Sequence, residues 1–161
     1  MAKKGKVSKA RQPKVLAKTE SKTPIKSTNL FWVVGIGASA GGLDAFKQLI
    51  KGIPVDSGMA YILVQHLDPN HESILGELLQ RFTAIPIHEI IDRVHVEPDH
   101  IYVIPPNKLL TATDGILNLS DRASKVQKNM PIDLFFSSLA EVHPSQAIGV
   151  VLSGTGTDGV T

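Results

Sequence analysis

The chain has 161 residues, no cysteine and a formal net charge of +2. That length allows one domain with one core, and 42% hydrophobic against 20% charged residues excludes a wholly disordered chain. Without cysteine there is no disulfide framework and no thiolate metal site. No apolar run reaches the length of a membrane span and no hydrophobic signal follows the basic start, so a cytoplasmic protein without membrane insertion is expected.

The charge is unevenly spread. Residues 1–30 carry nine Lys/Arg and one acid, Glu20, for +8; residues 31–161 carry eight basic and fourteen acidic residues, for −6. A basic stretch rich in Ser, Thr and Pro without apolar periodicity reads as a disordered arm over 1–30. Its field suits loose contact with polyanions, but no aromatic residue is interleaved to stack on bases, so no specific nucleic-acid partner is expected.

Elements begin after the arm. Phe31–Gly37 is β-branched and almost continuously apolar, as in a strand covered on both faces. A glycine turn leads into Leu43, Phe46, Leu49 and Ile50 at helical spacing, stopped by Gly52 and Pro54. Ala60–Val64 is a second buried strand. Asp68-Pro69 starts a second helix whose apolar face is Ile74, Leu75, Leu78, Leu79 and Phe82. Short strands follow at Ile85–Ile87 and Ile101–Ile104, with a hairpin from Leu109–Thr113 to Ile116–Leu119 across Asp114-Gly115. Residues 120–130 read as a polar loop. Pro131 opens a third helix bearing Ile132, Phe135, Phe136 and Leu139, and Ala147–Leu152 is a last buried strand before the glycine-rich Ser153–Gly159. This alternation predicts an α/β fold: a doubly wound, mainly parallel, Rossmann-like sheet with helices on both faces.

In such sheets functional groups gather where strands end. Gly37-Ala38-Ser39-Ala40-Gly41-Gly42, Gln65-His66-Leu67-Asp68 and Ser153–Gly159 bring a hydroxyl, an imidazole and a carboxylate to such ends, the composition of a serine hydrolase site. The first matches G-x-S-x-G, a sharp strand-to-helix turn that lifts the serine oxygen above the sheet. His66 follows a buried strand that should lie beside the Ser39 strand, within reach of its hydroxyl; His71, His88, His95, His100 and His143 sit in polar or turn-like surroundings and read as bystanders. Gly35-x-Gly37-x-x-Ala40 also fits a dinucleotide fingerprint. The acid which that motif needs about 20 residues on is displaced to Asp68, and histidine stands where the ribose carboxylate belongs.

Taken together, Val34–Gly42, Val64-Gln65-His66, Tyr102–Pro106, Pro131-Ile132-Asp133 and Val151–Gly159 resemble the chemotaxis protein-glutamate methylesterase family (CheB) in order and spacing. The resemblance implies Ser39 as nucleophile, His66 as general base and then acid, and Asp158 as the carboxylate orienting His66. It implies demethylation of glutamate methyl esters on the cytoplasmic helices of chemoreceptors, with release of methanol, and deamidation of certain glutamines, with no metal or organic cofactor. Three departures stand out. Threonine, frequent after the nucleophile in that family, is Ala40 here, which leaves the backbone amides at Ala40 and near Thr155 as the expected oxyanion donors. The family's receiver domain has no counterpart in a 30-residue arm, and the motif wording is closest to the variant fused to a receptor methyltransferase (CheR). The family also continues past the position of Thr161, so the catalytic domain over 31–161 is expected to lack its last helix and strands. A receptor-binding adaptor with weak catalysis would carry the same residues, so enzyme and adaptor both stay open, with a dinucleotide-binding domain as a further alternative.

Overall fold

The computed structural model describes residues 30–39, 42–65, 74–121 and 130–152. The described residues form eleven elements in chain order: β1 (Val33–Ala38), α1 (Leu43–Lys51), β2 (Ala60–Gln65), α2 (Leu75–Gln80), β3 (Ile87–Glu89), β4 (Val94–His95), β5 (Ile101–Val103), β6 (Lys108–Thr113), β7 (Ile116–Asp121), α3 (Pro131–Val142) and β8 (Ala147–Val151). Most of the expected basic arm and the Asp68-Pro69 helix start lie outside the described residues.

The two periods of the sequence sort the chain into layers. Five strands form one sheet in the order β3-β5-β2-β1-β8, and every pairing in it is parallel. Successive strand residues point to opposite faces. Val33, Ala60, Ile62, Val64, Tyr102 and Ile104 meet Ile132, Phe135 and Leu139 of α3 and the hairpin residues Leu110, Ala112 and Leu117. Val34, Ile36, Ala38, Tyr61, Leu63, Ile101 and Val103 meet Phe46 and Ile50 of α1 and Leu75 and Leu79 of α2. The sheet is therefore wound on both sides, as the alternation of elements predicts. The antiparallel strands stand apart in a three-stranded sheet, β4-β7-β6.

Glycine lets α3 come close. A Cβ built on Gly37 would lie 2.5 Å from Ile132 Cγ2, and one on Gly35 would lie 2.9 Å from a Phe135 ring carbon. These two positions of the dinucleotide fingerprint are thus occupied in packing a helix against the sheet. The Asp114-Gly115 turn joins β6 and β7 with Thr113 paired to Ile116, and both turn residues have positive φ, 43° and 75°. That is the two-residue loop whose backbone matches strand twist. Ser138 ties the hairpin to α3: its Oγ accepts from the Ala112 amide at 3.0 Å and donates to the Phe135 carbonyl at 2.8 Å.

Several expectations are corrected. β3 begins at Ile87, not Ile85, because proline at 86 has no N–H to give a ladder and the Gln80 side chain claims the preceding backbone. Its Nε2 donates to the Thr83 and Ile85 carbonyls, and its Oε1 accepts from the Ile87 amide at 2.9 Å. Ile74 is exposed rather than part of the α2 face. β7 extends to Asp121, into the expected loop. β8 is not a buried strand. It is the sheet edge among the described residues, with Ile148 39% and Val151 46% exposed. His143, expected in polar or turn-like surroundings, is buried, 2% exposed.

Candidate active site

β1 delivers Ser39 to the carboxyl edge of the parallel sheet. Its last residue, Ala38, pairs with Gln65, the last residue of β2, and Gly37 pairs with Val151, the last of β8. The three strand ends are thus level. The Leu152 amide donates to the Gly37 carbonyl at 2.8 Å, which fixes the point where the chain leaves β8.

After Ala38 the backbone turns at once. The Gly42 amide donates to the Ser39 carbonyl at 3.0 Å, and Gly42 in turn caps α1, its carbonyl accepting from the Phe46 amide at 2.9 Å. A Cβ on Gly42 would come within 2.4 Å of the Ala38 Cβ, so the turn closes only with glycine there. Ser39 is half-buried at this strand-to-helix junction. Amide dipoles of α1 point their positive end toward it, a setting that favours developing negative charge. Of the G-x-S-x-G stretch, Gly37, Ala38 and Ser39 are described, and Ser39 follows the last residue of β1. Ala40, His66, Thr155 and Asp158 lie outside the described residues.

The histidines that are described fall elsewhere. His88 and His100 stack on each other at 5.3 Å between ring centroids and lie against Tyr102, on β3 and β5 and the chain before them, two or more strands from β1. Burial pushes the Tyr102 hydroxyl above its ordinary pKa, against the Glu97 amide that donates to it at 3.0 Å. Burial lowers the His143 imidazole, partly opposed by the Asp114 carboxylate. Among the described residues no group of three His, Asp or Glu is placed to hold a metal ion, and no helix is long and apolar enough to cross a membrane. Two buried polar residues at the site end, Gln65 and Asp133, have no role in the sequence reading, although both lie within its motif stretches.

The layering defines a doubly wound α/β protein, with Ser39 at a strand-to-helix junction. The CheB methylesterase family model matches residues 34–161, and the chain belongs to that family. It is 32% identical over 154 residues to a protein-glutamate methylesterase/protein-glutamine glutaminase of Chromohalobacter salexigens, covering 93% of this chain and 43% of that protein. It is also 32% identical over 126 residues to a putative protein of the same description from Leptospira interrogans, covering 77% and 65%. The chain thus spans roughly half the length of these curated relatives. The crystal structure of the Thermotoga maritima CheB methylesterase catalytic domain superposes with a TM-score of 0.70 at 28% identity, over 80% of this chain and 70% of that one.

Proposed function

We propose that this chain carries the catalytic domain, over residues 31–161, of a serine hydrolase. In this reading it demethylates glutamate methyl esters on chemoreceptors in chemotaxis signalling, and deamidates certain receptor glutamines by the same acyl chemistry. The observation that carries the reading is the elbow: Ser39 stands at the end of β1, in register with the end of β2, whose last residue Gln65 is followed in sequence by His66.

Ser39 Oγ attacks the ester carbonyl while His66 takes its proton; the tetrahedral oxyanion rests on the amides of Ala40 and near Thr155. Collapse expels methanol, protonated by His66, and leaves an acyl-enzyme. Water, activated by the same imidazole, then releases glutamate and restores Ser39. Asp158 orients His66 and stabilises its charged form. No cofactor enters this chemistry. The methylated cytoplasmic helices of a chemoreceptor are the partner, with a receptor methyltransferase fused or separate, and the reaction belongs in the cytoplasm.

The test is fluorophosphonate labelling of the folded chain together with methanol release from methylated receptor. Ser39 should take the label, and Ser39→Ala should lose release by roughly 10⁴-fold or more with its fold unchanged. A folded chain that neither labels nor releases methanol is an adaptor instead.

A further inference from the structure

Three polar side chains are buried among the described residues: Gln65, Asp133 and His143. The place of Asp133 follows from how α3 lies on the sheet. Ile132 packs over Gly37, whereas Phe135, Phe136 and Leu139 pack over Gly35, so α3 runs opposite to β1 with its first turn at the strand's carboxyl end. Phe136 also covers Gly149, the β8 partner of Gly35. Asp133 precedes Phe136 on the same ridge by three residues, roughly 4.5 Å along the axis. That sets it level with the next pair, Gly37 and Val151, which lead directly to Ser39 and Leu152.

A carboxylate that only balanced the positive end of a helix would do so from solvent, as Asp44 does in the first turn of α1 with its side chain 81% exposed. Asp133 is 8% exposed. Burial deprives a carboxylate of water, and such groups persist where backbone or side-chain donors replace it. The chain at this level is where β1 turns and β8 ends.

We propose that Asp133 is a positioning residue: its buried carboxylate holds the backbone where β1 turns at Ser39 and where the chain leaves β8 at Leu152, and so sets the aim of the Ser39 hydroxyl. The proposal rests on the reading of Ser39 as nucleophile for its consequence in catalysis, but not for its structural content. Asp133 itself touches no reacting atom.

Hydrogen–deuterium exchange separates the two. In Asp133→Asn, peptides covering residues 36–43 and those containing Leu152 should exchange on the order of tenfold faster, with the β6–β7 hairpin unchanged. Labelling of Ser39 by a fluorophosphonate should fall about 10- to 100-fold. Asp133→Glu should recover part of both effects, and Ser137→Ala, on the exposed side of α3, should change neither. Unchanged exchange at both strand ends in Asp133→Asn overturns the proposal. Loss of protection across the whole domain in both Asp133 variants also overturns it, since the carboxylate would then serve folding in general. Local loosening in a protein whose parent takes no label at Ser39 supports the positioning role and removes the esterase reading instead.

Discussion

The turn after β1 and the turn between β6 and β7 both end in glycine, yet Gly42 sits at φ −70° and Gly115 at φ 75°. Gly115 supplies a conformation that L-residues rarely adopt. Gly42 adopts an ordinary helical conformation and supplies space instead, because a Cβ there would meet Ala38 Cβ and the Ser39 carbonyl. Gly37 works in the same way, its missing side chain taken up by Ile132. The hairpin turn is fixed by local backbone preference. The turn at Ser39 is fixed by how tightly the sheet, α1 and α3 crowd round it, so changes there should reach the chemistry while changes in the hairpin should stay in the hairpin.

Gly42→Ala should break this comparison most visibly. The methyl overlaps a neighbouring Cβ that cannot rotate away, so the Ser39 turn must open; with Ser39 as the proposed nucleophile, a displacement of about an ångström costs on the order of 10²-fold in rate. Methanol release and melting temperature together check it: a large rate loss in a protein that still melts cooperatively is the expected pair. Gly37→Ala comes next. Its methyl would press on Ile132, and overpacking of this kind costs about 1–3 kcal/mol. Ile132→Ala in the same chain removes the atom it strikes, so the two changes together should be less destabilising than their sum, as a denaturant double-mutant cycle would read out. Gly115→Ala should cost about 1 kcal/mol through its positive φ and leave labelling of Ser39 unaltered. If Gly115→Ala slowed labelling as much as Gly42→Ala, the distinction between the turns would be lost.

The same contrast explains what could be read from the sequence. The hairpin turn is legible to the residue because Asp-Gly between alternating strands encodes its own geometry, and Thr113 pairs with Ile116 as that turn demands. β1, α1, β2 and α3 are legible because each has a long run of one period. β3 is displaced because the Gln80 side chain, seven residues upstream, satisfies the backbone that a strand would have used. The two-residue β4 escapes notice altogether, since it exists only through pairing Val94 and His95 with β7. β8 reads as buried because its residues are apolar, but composition does not tell an edge from a centre. Ser39 is placed by its motif. Asp133 is quoted in a motif yet given no role, because its burial depends on α3 lying across Gly35 and Gly37, which no local pattern records.

His143 gives the smallest and most specific test, on the hairpin side of the comparison. It closes α3, its amide donating to the Leu139 carbonyl at 2.9 Å, and its Nδ1 is buried with no hydrogen-bond partner among the described residues. Burial holds the imidazole below its ordinary pKa of 6.5, and the Asp114 carboxylate in the hairpin turn pulls the other way. In the unfolded chain His143 takes up a proton near pH 6.5, while in the fold it resists until the pH is lower. The unfolded state therefore binds more protons in that interval, so stability held above about pH 6.5 is lost as pH falls toward the lowered value, and levels off beneath it. His143→Leu keeps the volume, removes the titration and should flatten this part of the melting curve against pH. Asp114→Asn tolerates the positive φ but removes the charge that favours imidazolium, so the acid-side loss should steepen. Equal slopes in the parent, His143→Leu and Asp114→Asn would show that this histidine does not set the acid sensitivity of the fold.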